Sequence, residues 1–251
     1  MVRWQLLLGL GILSGLTACQ PTATVDPSAP DSDAEALVES ATDSEAAVTP
    51  ATSDPAAAKR EEQAAAALSD TTVVPGDRVG PITADTSRAD LAARFGEALL
   101  EDTEVAVGEG FTESGTIVNA GSDRTFAVIW VDDRQAEPAT VKDFGTAWQT
   151  PEGIGVGTSF AELQALLGPF DLYGFGWDYG GTLVLEGSNL SNYYGSLILR
   201  LQPTDPSVLQ QQAEAFAAVR GDKLISSDEP NLVALDLVVD EMIVYLNPPA
   251  Q

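Results

Sequence analysis

The chain has 251 residues, 38 of them acidic and 12 basic, with a formal net charge of −26, one cysteine and no histidine. That balance excludes a surface built to hold nucleic acid or anionic headgroups, which needs clustered lysine and arginine. The missing histidine and the single cysteine exclude Ser-His and Cys-His nucleophile pairs, a disulfide framework, and imidazole or thiolate metal sites, so no cofactor is expected.

From the N-terminus, Arg3 supplies a positive charge, an apolar run follows from Leu6 to Leu16, and Leu16-Thr17-Ala18-Cys19 closes it with small residues before the cysteine. The run is too short for the ~20 apolar residues that span a bilayer, which leaves a transmembrane anchor as the weaker reading. The pattern resembles the lipobox of bacterial lipoproteins. The resemblance implies a signal peptide at 1–18, cleavage before Cys19, and acylation of Cys19 as a membrane anchor on the extracytoplasmic side. Gln20 follows where some bacteria place the aspartate that retains lipoproteins at the inner membrane, which points to the outer membrane.

Residues 19–70 are rich in Ala, Pro, Ser, Thr, Asp and Glu and poor in large apolar residues. Such a segment cannot bury enough surface to offset its chain entropy, so it reads as a disordered acidic stalk. The KREEQAAAAL stretch at 59–68 has helix formers but no apolar stripe to dock, which makes any helix there marginal.

Two stretches of the remaining chain say nearly the same thing: VGPITADTSRADLAARFG at 79–96 and GIGVGTSFAELQALLG at 153–168. In the second, Ser159 followed by Glu162 predicts a capping box. Ser87 with Asp90 is its counterpart in the first. Leu91 with Phe95, and Leu163 with Leu166 and Leu167, fall on one helical face, and Gly96 and Gly168 stop each helix. Strands follow in the same order: GTIV at 115–118 answers GTLV at 181–184, and TFAVIWV at 125–131 answers SLILRLQ at 196–202. Leu197, Leu199 and Leu201 alternate with Ile198 and Arg200, as in a half-buried antiparallel strand. The expected fold class is therefore α+β, with tandem helix-plus-antiparallel-meander units at 71–150 and 151–251.

The second unit carries more. Asp205-Pro206 predicts a helix running to Arg220, with Val208, Leu209, Ala213, Phe216 and Val219 on its apolar face. In LVALDLVVDEMIVYL, Val233, Leu235, Leu237 and Val239 share one phase and Met242, Val244 and Leu246 the other, so a bulge or turn is expected at Asp240-Glu241.

Tandem helix-plus-sheet units resemble the beta-lactamase-inhibitor-protein-like fold, and small lipoproteins of the outer-membrane assembly machinery carry one such unit behind a lipobox. The run GTSFAELQALLGPFDLYGFGWDYGG, with VGPITADTSRADLAARFG before it, is also similar to a family of uncharacterised bacterial secreted proteins over most of residues 75–202. The resemblance implies a fold and an envelope location, and no activity.

Chemistry-bearing motifs are sparse. Asp132-Asp133 lacks the alternating oxygen-ligand spacing of a calcium loop and reads as a turn, and GIGVGTS lacks the lysine of a phosphate loop. The segment at 173–181 differs: Tyr173, Phe175, Trp177 and Tyr179 alternate with glycine or aspartate, which in a strand places four rings on one face. That face is either the core of the second unit or an exposed platform for a protein partner or glycan, and Trp148 is placed to join either. The chain reads as a membrane-anchored extracytoplasmic binding module and not an enzyme, with a carboxylate-dependent hydrolase as the alternative.

Overall fold

A computed structural model describes residues 66 and 69–248. The signal segment, Cys19 and nearly all of the stalk, including the 59–68 stretch apart from Ala66, lie outside the described residues. Among the described residues no helix is long and apolar enough to cross a membrane.

Three two-residue strands, β1 (Val73–Val74), β2 (Arg78–Val79) and β3 (Ile82–Thr83), form a small antiparallel sheet that leads into α1 (Arg88–Phe95). The Ser87 side chain accepts from the Asp90 N–H, and the Asp90 carboxylate accepts from the Ser87 N–H, so the shorter Asp closes the capping box. Leu91 and Phe95, one turn apart, are the buried residues of α1, and Gly96 ends it at φ 91°. A 3-10 turn (Glu97–Leu99) then feeds a meander of four strands: β4 (Leu100–Gly108), β5 (Phe111–Val118), β6 (Phe126–Trp130) and β7 (Pro138–Lys142). Arg88 ties α1 to this meander, pairing with Glu97 at 2.8 Å and with Asp102 at 3.0 Å. Asp102 also accepts from the Thr116 hydroxyl, which in turn accepts from the buried Trp130 indole N–H.

The second helix, α2 (Phe160–Leu167), repeats the device. Ser159 and Glu162 close its capping box, Phe160, Leu163 and Leu167 are buried, and Gly168 ends it at φ 70°. Leu91 and Leu163 are both fully buried. Among the described residues no ion pair holds α2; Gln164 donates to the Ser227 carbonyl at 2.8 Å instead.

The strands after α2 are laid out differently from those after α1. Short β8 (Asp171–Tyr173) and β9 (Leu183–Val184) form a separate three-stranded sheet with β11 (Leu224–Ser226), while β10 (Leu197–Pro203) and β12 (Leu237–Tyr245) extend the first meander. The main sheet therefore runs β10-β12-β7-β6-β5-β4, drawing strands from both sides of residue 150. One bridge, Thr182 to Arg200, and the Leu201 N–H donating to the Gly181 carbonyl at 2.9 Å connect the small sheet to β10.

Two expectations change. The 205–220 helix is broken at Gln212 (φ −111°, ψ 42°) into α3 (Val208–Gln211) and α4 (Ala213–Val219), and the buried residues of α4 are Ala215 and Val219, not Ala213. Val233 and Leu235 do not share the last strand. Pro230 starts the short α5 (Pro230–Val233), and β12 begins at Leu237. The bulge lies where the phase change predicts it: Arg200 faces Glu241 and Leu201 faces Val239, leaving Asp240 over.

Alternation assigns the two faces of the main sheet. Phe126, Val128, Val141, Leu199, Leu201, Val239, Met242 and Val244 face the helices and form one core with Leu91, Phe95, Leu163 and Leu167. Ala127, Ile129, Lys142, Arg200, Glu241 and Tyr245 point to the opposite face. That face carries the features described next.

Candidate functional site

The hairpin β4-β5 is an arm rather than a flat edge. Its tip turns through Gly108, Glu109 and Gly110 at φ 107°, 52° and 79°, a left-handed run that two glycines make accessible. Gly115 lets its neighbours close in on the hairpin: a Cβ there would meet Val105 Cγ2 at 2.6 Å. Val105 occupies that space and packs with Ala127, Ile129 and Ile117 as a small second cluster.

Lys142 ties the arm to the sheet. Its Nζ donates to the Ala106 carbonyl at 2.7 Å and pairs with Glu241 at 3.1 Å and Asp143 at 3.5 Å. Glu241 also accepts from Arg200, whose Nε donates to the Thr182 hydroxyl at 3.2 Å. A charge this enclosed is tolerated only when paired and hydrogen-bonded, and each of these groups has its partner.

The arm tip reaches the aromatic turn. Tyr179 donates its hydroxyl proton to Glu109 Oε1 at 2.8 Å. That acceptor is the first cause holding the Tyr179 phenol above its ordinary value, with desolvation and the charges of Glu109 and Asp178 adding to it and the charge of Arg200 opposing it.

The expected strand through Tyr173, Phe175, Trp177 and Tyr179 does not form. Only Tyr173 lies in a strand, β8, and Gly176 (φ 87°) and Gly181 (φ 79°) turn the chain back on itself. The Trp177 indole donates to the Gly174 carbonyl at 2.6 Å, and the Gly181 N–H donates to the Tyr173 carbonyl at 2.9 Å. The four rings therefore part company. Phe175 is 2% exposed and belongs to the core, whereas Tyr179 is 44% exposed and Tyr173 and Trp177 are half-buried. Tyr173 meets Trp177 edge-on at 5.8 Å, and Trp177 meets Tyr179 edge-on at 5.3 Å. Trp148 joins the core. It is fully buried, sits edge-on to Phe126 at 5.0 Å, and donates its indole proton to the Arg124 carbonyl.

Residues that no sequence motif singled out complete this region. Val107 and Phe111 on the arm tip are exposed, Phe111 at 64%. The flanking glycines of VGEGF were the available signal, since a hairpin tip that keeps a phenylalanine leaves it in water. On the same face, a concavity of about 360 Å³ is lined by Val107, Glu113, Ile129, Val131, Ile243 and Tyr245 among others. A second, of about 380 Å³, is lined by Asp143, Asp178, Arg200, Asp240 and Glu241 with Phe144, Gln202 and Met242. The first offers apolar contact with one carboxylate at its rim; the second offers negative charge. Among the described residues no group of three or more histidine, cysteine, aspartate or glutamate side chains is arranged to hold a metal ion.

No family model and no curated protein matches this chain. Among solved structures, the chain is similar to the uncharacterized protein YfeY from Escherichia coli, at 16% identity and a TM-score of 0.41, over 69% of this chain and 99% of that one.

Proposed function

We propose that this chain is a binding module of the bacterial envelope, anchored on the extracytoplasmic side by acylated Cys19 and carried on an acidic stalk. Its contact surface is the arm tip with the aromatic turn, namely Phe111, Tyr179, Trp177 and Tyr173. One observation carries this reading: Tyr179 and Phe111 leave large rings in water, Tyr179 beside a half-buried tryptophan on a surface fixed by the Glu109 contact. Exposed rings that are already ordered supply contact area at low entropic cost, which is why Tyr and Trp recur as interface anchors. The tandem reading of 71–150 and 151–251 is part of the same proposal. The two capping boxes and the fully buried Leu91 and Leu163 support it for the helices, whereas the strands that follow the two helices differ in layout.

The competing reading, a carboxylate-dependent hydrolase, would place its chemistry in the concavity lined by Asp143, Asp178, Asp240 and Glu241. Glu241 is committed there to Lys142 and Arg200, so a paired-carboxylate mechanism would have to work without it.

The test is made in a bacterial host that processes lipoproteins. A photo-crosslinking residue at Tyr179 should give a discrete adduct from the membrane fraction that the same residue at Asp85 does not give, and Cys19→Ser should leave the membrane fraction without mature protein. Equal adducts from both positions would remove the contact surface. Soluble wild-type protein with a mature N-terminus other than Cys19 would remove the anchor.

A further inference from the structure

We infer that the Trp177-Tyr179 turn and the arm tip recognise a cationic segment of a partner protein, with an arginine or lysine side chain laid over the exposed rings and its charge held by Asp178 and Glu109. The inference rests on the binding reading above and names the chemistry of its partner.

Rings and carboxylates alternate here. Asp178 lies between Trp177 and Tyr179 in sequence, is exposed, and makes no salt bridge or hydrogen bond among the described residues, although Arg200 lines the same concavity. Glu109 accepts the Tyr179 hydroxyl through one oxygen. A cation over the face of tryptophan or tyrosine is attracted by the ring quadrupole, and a carboxylate at the ring edge adds to that attraction. Aliphatic or neutral polar side chains would use the rings and leave these carboxylates uncompensated.

The chain's own cations do not fill this role. Lys142 and Arg200 are both paired with Glu241. Arg220 packs over Gly176, its Nε 3.1 Å from where a Cβ would stand, and has no carboxylate partner among the described residues. Asp178 also borders the concavity lined by Asp143, Asp240, Glu241 and Arg200; Lys142 and Arg200 pair there with Asp143 and Glu241, which leaves Asp178 and Asp240 as its carboxylates without a salt bridge among the described residues. The whole chain reinforces this local field: at −26 it repels a second copy of itself and any polyanion, and steers polycations toward it.

Because so acidic a protein attracts any polycation weakly, the experiment must separate the site from the bulk field. The full chain is titrated with a synthetic arginine-glycine dodecapeptide and with the same peptide carrying neutral citrulline in place of arginine. The expected result is saturable binding of the arginine peptide only. Tyr179→Ala and Asp178→Asn should each weaken it by ~10-fold or more, while Asp85→Asn, an equal change in net charge on the loop before α1, leaves it unchanged. If the citrulline peptide binds as well and still depends on Tyr179, the contact surface stands and its cationic preference is overturned. Arginine-peptide binding that ignores Tyr179, or falls equally with Asp85→Asn, would mean bulk attraction and overturn both. No binding of the arginine peptide at all would overturn the inference as well.

Discussion

The molecule holds two aromatic groups built from the same parts in opposite settings. Around Trp148, Phe95 meets Phe126 at 5.6 Å, Phe126 meets Trp148 at 5.0 Å and Phe144 meets Trp148 at 5.8 Å, all buried in the main core. In the turn, Tyr173, Trp177 and Tyr179 keep similar spacing and edge-on geometry but border on water. Ring geometry therefore does not distinguish an aromatic group that holds a fold from one that is free to bind. What surrounds it does: helix and sheet on both sides in one case, a glycine-hinged turn and a hairpin tip in the other.

The largest test of this contrast is Trp148→Ala, which should cost about 3–5 kcal/mol, as large aromatic truncations in a core do. Urea denaturation would measure it, and a loss under about 1 kcal/mol would mean that the fold does not depend on its central ring. Lys142→Met comes next, at about 1–3 kcal/mol, because it removes the donor to the Ala106 carbonyl and leaves the mostly buried Glu241 with Arg200 alone. It should also raise amide exchange in the arm more than around Trp148, which exchange measured by mass spectrometry would resolve.

A smaller effect is a titration that only the turn should show. The protonated Tyr179 phenol is the form that Glu109 holds, so its pKa lies above 10.0. The contact is fully present below pH 10 and is lost as pH rises through that raised value. Ultraviolet titration of wild type and Tyr179→Phe should assign a late phenolate to Tyr179, and Glu109→Gln should move it back toward 10. A Tyr179 phenol that ionises at or below 10 in the wild type would break the link between arm and turn.

Much of the scaffold was legible because its signals are local. A capping box needs only residues three apart, and both formed at Ser87-Asp90 and Ser159-Glu162. The bulge at Asp240 announced itself as a phase change within one strand. The aromatic stripe misled because alternation says nothing of φ, and Gly176 and Gly181 at positive φ turn a would-be strand into a loop that buries Phe175. The single 205–220 helix failed where the chain leaves helical geometry at Gln212. The fixing of the arm was not legible, since its contacts join Lys142 to Ala106 and Tyr179 to Glu109, 36 and 70 residues apart.

The central claim is that the turn's rings bind while the rings around Trp148 hold the fold. It is tested most directly by pairing the melting temperature of Tyr179→Ala with the adduct formed through a photo-crosslinking residue at Phe111. The account predicts a shift in Tm of less than ~2 °C, corresponding to no more than about 1 kcal/mol for a domain of this size, together with loss of the Phe111 adduct. A Tyr179→Ala protein destabilised by ~3 kcal/mol, or one that forms the adduct as well as wild type, would contradict it.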